Sequence, residues 1–315
     1  MKKRFFVVIA LLVVCMVSGV ATAQKKPLVC VSVVGTEHNW DINAYNGVLD
    51  TLRAAGVDVR AFDGERKDQK QANDLETIAQ LKPDVAVVIL GTTNVLLPGL
   101  KKINDRGIPI VTVDLQNPYS TCNVSSNNYA MGIDIALQIV NDLKGEGELA
   151  VFYRPGSWVA EVRRHGLDFV LKDFPGIKIV AEQPYVVPGT VPDAMNKMEN
   201  ILKAHPNLDA VWSVFDQPLI GAAMAIQAAG KQNQVKCFGI DGDPQAMAML
   251  RSGQSAYAAT IVQQPYLIGE TAGKIALDII KGKEAPYAVY VDHLVGTEEN
   301  VEEIIQTVDT YKDIR

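Results

Sequence analysis

The chain has 315 residues and carries 30 Lys and Arg against 36 Asp and Glu, a formal net charge of −6. A mildly acidic balance excludes nucleic acid as the main partner. Residues 24 onward are too many for one ordinary core and suit two domains.

Met1-Lys2-Lys3-Arg4 is a short cationic head, followed by an apolar run over residues 5–17, Ser18-Gly19 and the small-residue site Ala21-Thr22-Ala23. These are the three parts of a cleavable secretory signal. The apolar run is roughly 13 residues, short of the ~20 that a membrane-crossing helix needs. Cleavage is expected after Ala23, giving a signal peptide over 1–23 and a soluble mature chain from Gln24 in the periplasm. Leu12-Val13-Val14-Cys15 is a weaker lipoprotein reading, since Val14 is bulky for the place before a lipidated Cys.

Short apolar runs alternate with helical patterns from there on. Residues 28–34 read as a strand and 43–55 as a helix ended by Gly56. A strand over 57–62 and a helix over 69–81 follow, then a strand over 85–90, a helix over 95–106 ended by Gly107, and a strand over 108–114. The second half repeats the plan. Strands are expected at 149–153, 177–182, 210–215 and 235–241, with helices at 160–174, 192–204 and 219–229. Continuous apolar strands separated by helices imply parallel sheets covered on both faces. The fold class is therefore α/β, with two similar Rossmann-like lobes. The expected lobes are 24–126 plus 264–292 and 127–263 plus 293–315, joined by a hinge with a ligand cleft between them.

Cys30, Cys122 and Cys237 remain after cleavage, and an odd count leaves at least one free thiol. All three stand in apolar, strand-like surroundings and read as buried and inert, with a Cys30–Cys122 disulfide as the alternative. No CxxC or His/Cys cluster points to a metal site, and no cofactor motif is present. G-x-S-x-G, H-E-x-x-H and Walker A signatures are also absent. Gly269-Glu270-Thr271-Ala272-Gly273-Lys274 is one residue short of a P-loop and reads better as helix.

In open α/β sheets ligands sit outside the carboxyl ends of the strands. Asp114 and Asp241 end the fourth strand of each half, where a carboxylate can accept two hydroxyl hydrogen bonds. After the first strand, Asn39 can donate and accept, and Trp40 can stack on the apolar face of a sugar ring or polyol; Asp41 follows. Phe215 and Asp216 face them from the second half. Arg163, Arg164 and His165 lie near the start of a helix, where only one or two can face the cleft. Gln263 ends a strand at a crossover between the lobes.

These residues resemble a family. The chain is similar to type I periplasmic binding proteins of the ribose-binding, sugar-transport class. The likeness rests on Val33-Val34-Gly35-Thr36 with Asn39, on 108–114, on Ser126-Asn127-Asn128 leading into Gly132, on Ala204-His205-Pro206, on Gly239-Ile240-Asp241-Gly242 and on 259–263. It implies a monomeric receptor that closes on a small ligand and delivers it to an ABC permease, with Asn39, Asp114, Asp241 and Gln263 as ligand contacts. Three positions depart from the ribose-type pattern: Trp40-Asp41 replaces a pair of aromatics, Leu115 replaces an Arg, and Phe215 replaces an Asn. The resemblance also aligns a helix-borne Arg with His165.

The expected function is a periplasmic solute receptor for a monosaccharide or sugar alcohol, not an enzyme. Trp40 and Phe215 would sandwich the carbon skeleton while Asn39, Asp114, Asp216, Asp241 and Gln263 bind hydroxyls. The alternatives are a receptor for a nucleoside or an autoinducer-like furanose that docks on a membrane sensor or chemoreceptor, and a cleft hydrolase using Asp114 and Asp241 as an acid/base pair.

Overall fold

The computed structural model describes residues 26–311, so the signal segment and its cleavage site lie outside the described residues. In chain order the first lobe contains β1 (Leu28–Val33), α1 (Asn39–Ala54), β2 (Asp58–Asp63), α2 (Asp68–Leu81), β3 (Val85–Ile89), α3 (Thr93–Asn104), β4 (Ile110–Val113) and β5 (Cys122–Ser126). The second lobe follows with α4 (Asn128–Leu143), β6 (Glu146–Phe152), α5 (Trp158–Leu171), β7 (Gly176–Gln183), α6 (Thr190–Ala204), β8 (Ala210–Ser213), α7 (Asp216–Ala228), β9 (Lys236–Asp241), α8 (Pro244–Arg251) and β10 (Tyr257–Val262). The chain then returns to the first lobe as α9 (Pro265–Ile280) and β11 (Ala288–Val291). It closes on the second with β12 (Leu294–Thr297), α10 (Val301–Thr307) and a 3-10 turn at Asp309–Tyr311.

Each lobe is built on one six-stranded sheet, ordered β11-β5-β4-β3-β1-β2 and β12-β10-β9-β8-β6-β7. Every pairing in the first is parallel. In the second, only β12 runs antiparallel, against β10. β3, with the sequence VAVVI, is buried at all five positions. Such unbroken apolar strands require cover on both faces. On one face of the first sheet, Ala44, Val48 and Leu52 of α1 and Ile268 and Ala272 of α9 meet the Val-rich strands. On the other face, Leu75 and Ile78 of α2 and Leu96 and Leu100 of α3 do the same. Each such side chain contributes about 1.5–3 kcal/mol by leaving water.

Several helices begin earlier than the apolar periodicity predicts, because capping rather than periodicity sets their starts. α1 starts at Asn39, four residues ahead of the pattern, with the His38 side chain accepting from the Trp40 N–H as its N-cap. Asn39, Trp40 and Asp41 therefore occupy a helical first turn rather than a loop. Likewise α5 starts at Trp158 behind a Ser157 cap; α7 also starts early, at Asp216, though without a side-chain cap. Two elements with weak sequence signals also appear between the halves. β5 is mostly polar (CNVSS) yet wholly buried, and α4 is capped by Asn127, which accepts from the Ala130 N–H at 3.1 Å.

The chain crosses between lobes after β5, after β10 and between β11 and β12. Gln264 Nε2 donates to the Asp292 carbonyl at 3.1 Å, tying the second and third crossings together. Next to the first crossing, α4 and α5 touch through glycines. A Cβ on Gly132 would stand 2.5 Å from the Arg163 carbonyl oxygen, and one on Gly166 would stand 2.7 Å from the Gly132 carbonyl carbon.

Cys30, Cys122 and Cys237 are free and buried, so the Cys30–Cys122 disulfide alternative is not formed. Burial pushes the Cys30 and Cys122 thiols up to about 11, consistent with inert core residues. Among the described residues no helix is long and apolar enough to cross a membrane.

Candidate functional site

The carboxyl ends of the two sheets face one another, and buried polar side chains converge between them. Asp114 follows β4 with φ 50°, and Asp241 ends β9 with φ 135°. Positive φ at non-glycine residues is sparsely populated and costs of order 1–3 kcal/mol unless the surroundings enforce it.

Asp114 is 3% exposed. Its Oδ1 accepts from Asn128 Nδ2 at 3.0 Å. Asn128 Oδ1 in turn accepts from Arg163 Nε at 2.8 Å. Arg163 Nη1 donates to the Val214 carbonyl at 2.7 Å and to Asp241 Oδ1 at 3.3 Å. The same Asp241 oxygen accepts from Gln263 Nε2 at 2.8 Å. Four of the residues predicted for the site, Asp114, Arg163, Asp241 and Gln263, thus belong to one relay that runs from the first sheet to the second. Asn128 is its middle link and was marked in the sequence only within the Ser126-Asn127-Asn128 stretch that carries the family resemblance.

Arg163 is the cation of this relay, between two carboxylates. Burial raises the Asp114 carboxyl to about 7 even though Arg163 and the Asn128 hydrogen bond lower it. Burial raises Asp241 to about 6, with Arg163 and Gln263 pulling in the opposite direction. Gln263 is fully buried, and its Oε1 has no partner within the protein.

The other predicted residues are placed differently. Asp216 is fully buried and works inside the second lobe. Its Oδ2 accepts from the Asp243 N–H at 2.8 Å, and its Oδ1 accepts from Thr260 Oγ1 at 2.9 Å and from the Tyr257 hydroxyl at 3.2 Å. With its oxygens engaged by the protein, it braces the loop carrying Asp241 and is not presented to a ligand. Burial, and then the charge of Asp241, raise its carboxyl to about 8.

Asp41 is 2% exposed and ion-paired with Arg66. Asn39 Oδ1 accepts from Asn43 Nδ2 at 3.0 Å, and Asn39 remains partly open to the cleft. A small pocket between the lobes is lined by Asn39 and Trp40 on one side and by Asp241, Gly242 and Asp243 on the other. A wider groove lined by Leu28, Asp58 and Arg60 lies at the amino ends of β1 and β2, away from this convergence.

Of the two rings expected to sandwich a ligand, Trp40 packs in the first lobe and Phe215 meets other rings edge-on. Trp40 is 5% exposed within the first-lobe core, because the helix starts early and turns the indole inward; its Nε1 has no partner. Phe215 meets the ring of His38 edge-on at 5.9 Å and that of Tyr185 at 4.8 Å. Arg164 turns away from the cleft to Asp168 at 2.9 Å and Glu182 at 2.7 Å, over the ring of Tyr153. His165 is solvent-exposed. Helical geometry explains the division: Gly132 and Gly166 fix the α4–α5 contact, and that contact directs Arg163 inward and its two successors outward.

Sequence reasoning missed His38, Arg66 and Tyr185. Arg66 follows β2 with φ 54°, and its charge reaches Tyr185 and Asp241 across the cleft. No periodic signal marks it, since it lies in a run of charged residues. Among the described residues no group of His, Cys, Asp and Glu is arranged to hold a metal ion.

Comparison with known proteins agrees with this architecture. A family model described as a periplasmic binding protein domain matches residues 29–284, and the chain belongs to that family, as a type I member with two α/β lobes. Among curated proteins, the D-allose-binding periplasmic protein of Escherichia coli K12 is 29% identical over 277 residues, covering 82% of this chain and 88% of its own. The ribose import binding protein of Bacillus subtilis is 26% identical over 264 residues, covering 83% and 84%. Among solved structures, an ABC transporter solute-binding protein from Agrobacterium vitis with bound allitol superposes with a TM-score of 0.88 at 35% identity, over 90% of this chain and 99% of that one. An ABC sugar transporter subunit from Rhodobacter sphaeroides 2.4.1 gives 0.85 at 35% identity, over 87% and 99%. These relatives are named for binding and import, not for catalysis.

Proposed function

We propose that this chain is the periplasmic solute receptor of an ABC importer, exported by its N-terminal signal, and that it captures a monosaccharide or sugar alcohol between its lobes for delivery to a permease. The lobes comprise 24–126 with 264–292 and 127–263 with 293–315, and the receptor works as a monomer.

The observation that carries this reading is the Asp114–Asn128–Arg163–Asp241–Gln263 relay. It holds two carboxylates and an amide oxygen, one from each sheet and one from a crossing strand, at the place where the lobes meet. Hydroxyl groups donate to such oxygens, and hydrogen bonds to charged groups are worth about 1.5–3 kcal/mol each. A micromolar complex corresponds to roughly −8 kcal/mol, which such bonds supply together with burial of the ligand's carbon skeleton against the cleft wall after the cost of association is met. The allitol bound by the Agrobacterium vitis relative supports a polyol or sugar of similar size. Closure would bury the ligand and bring together the surface that the permease reads.

Isothermal titration of the mature protein against allitol, D-allose, D-ribose and myo-inositol tests the reading. Micromolar or tighter binding of one of them is the expected result. Binding of nucleosides or amino acids, with no response to any polyol or sugar, would overturn it.

A further inference from the structure

His38 carries the strongest unexplained observation in the cleft. It caps α1 by accepting the Trp40 N–H on Nδ1 at 3.3 Å. A ring nitrogen that accepts a backbone N–H carries no proton, so in the neutral ring the proton sits on Nε2. That Nε2 is buried and has no partner in the protein. The side chain is 13% exposed, and its ring meets Phe215 of the opposite lobe edge-on. A buried donor left unpaired costs about 1–3 kcal/mol, so its persistence points to a partner that the protein does not supply.

The charged groups around His38 favour the neutral ring. Arg66 approaches from the first lobe and Arg163 from the second; both disfavour an imidazolium, as does burial, which is the largest influence and holds the ring down to about 3. Asp41, on the same helix, is the counter-charge, but its Oδ1 stands 3.9 Å from Nδ1 and its other oxygen is taken by Arg66. Asp241 and Asp243 line the same pocket from the second lobe.

We propose that His38 is a specificity-determining ligand contact, a neutral donor locked as the Nε2–H tautomer, which selects ligands presenting an oxygen acceptor beside Phe215. The proposal rests on the receptor reading above and adds to it a polarity at one end of the cleft. The relay offers mainly acceptors, whereas His38 offers only a donor. A ligand hydroxyl at this end must therefore accept, and an analogue lacking that oxygen leaves the imidazole N–H unpaired again.

His38→Asn is the decisive variant. Asn is among the best N-cap residues, so its Oδ1 retains the cap on α1, while its Nδ2 stops short of the position that the ring Nε2–H reaches. The expected result is a melting temperature no lower than wild type and an affinity for allitol about tenfold weaker. The second measurement is nitrogen NMR of ¹⁵N-histidine-labelled protein, with His38 assigned by its absence from the variant. It should show an Nε2–H ring and no imidazolium between pH 5 and 8, with the Nε2 resonance moving as allitol saturates the wild type. Unchanged affinity in the variant overturns the proposal, as does an Nδ1–H or cationic ring in the ligand-free protein. Wild-type protein that ignores allitol, D-allose, D-ribose and myo-inositol alike would sink the polyol reading instead, and the ring state of ligand-free His38 would still decide the tautomer lock on its own.

Discussion

Arg163 and Asp241 stand 3.3 Å apart between α5 and the end of β9, each almost wholly buried, and Arg163 is the cation that the relay sets between Asp241 and Asp114. The same guanidinium holds Asn128 and the Val214 carbonyl, so its position is fixed by groups from three segments. A buried carboxylate left without its cation is costly, whereas a buried pair as a whole adds little to stability. Arg163→Met is therefore expected to destabilise the fold by about 3–5 kcal/mol in urea unfolding and to weaken ligand binding by at least about a hundredfold. Arg163→Lys keeps the charge but loses the planar fork that serves Asn128 and Val214 together, and should fall between the two.

The buried carboxylates make stability depend on pH in a definite direction. Asp114, Asp241 and Asp216 are raised from 3.8 to about 7, 6 and 8. The folded protein thus holds protons that the unfolded chain gives up above about pH 4. Raising the pH from 5 to 8 favours the unfolded state, and the loss is complete once the folded carboxyls have also ionised. The melting temperature of ligand-free protein should fall across this window. Asp216→Asn, whose amide can replace a protonated carboxyl between Thr260 and the Asp243 N–H, should remove the part of the slope nearest pH 8. A slope unchanged in that variant would contradict the assignment.

Arg164 and His165 provide the opposite expectation. Arg164 is engaged by Asp168 and Glu182 on the outer face, and His165 is in solvent. Replacing either with Ala should leave ligand affinity within about twofold in calorimetry and change stability by less than about 1 kcal/mol.

The fold was more legible than the site. Buried parallel strands such as 85–89 announce themselves through unbroken Val and Ile, and their spacing alone gives the double α/β plan. The positions of Asp114 and Asp241 follow from that plan, because a strand's carboxyl end is a place that topology defines. Side chains set by helix starts were less legible. His38 looks like a loop residue until its ring is seen to cap α1, and that one cap turns Trp40 into the core. Asp216 has the composition of a ligand contact, yet its role is decided by Thr260 and Tyr257, more than 40 residues distant in the chain. Non-local partners of this kind carry no periodic signal.

The α4–α5 contact links helix packing to the ligand site. Gly132 lets the backbone of α5 approach at Arg163 itself, and an added Cβ would sit 2.5 Å from the Arg163 carbonyl oxygen. Neither atom belongs to a flexible side chain, so the helices must separate. Gly132→Ala should cost about 1–3 kcal/mol through overpacking. Because Arg163 moves with α5, the variant should also lose ligand affinity, and calorimetry on the folded variant separates the two effects. Gly132→Ala with wild-type affinity would show that the placement of Arg163 does not depend on this contact.

Tyr311 anchors the end of the described chain to the loop that presents Asp241. Its hydroxyl donates to the Gly242 carbonyl at 2.5 Å, while Thr260 Oγ1 accepts from the Gly242 N–H at 3.3 Å and Asp216 holds the Asp243 N–H. Three separate segments thus clamp a loop in which Asp241 has φ 135° and Gly242 has φ 70°. A conformation of that kind persists only while its surroundings enforce it. Tyr311→Phe keeps the buried ring and removes one clamp. It should lower stability by about 1–3 kcal/mol, the cost of leaving a buried carbonyl unpaired. Ligand affinity should fall several-fold as Asp241 loses its fixed orientation, and hydrogen exchange should quicken at Gly242 and Asp243 while the amides of β3 in the other lobe keep their protection. Faster exchange spread evenly over both lobes would instead assign Tyr311 a general packing role with no particular bearing on the site.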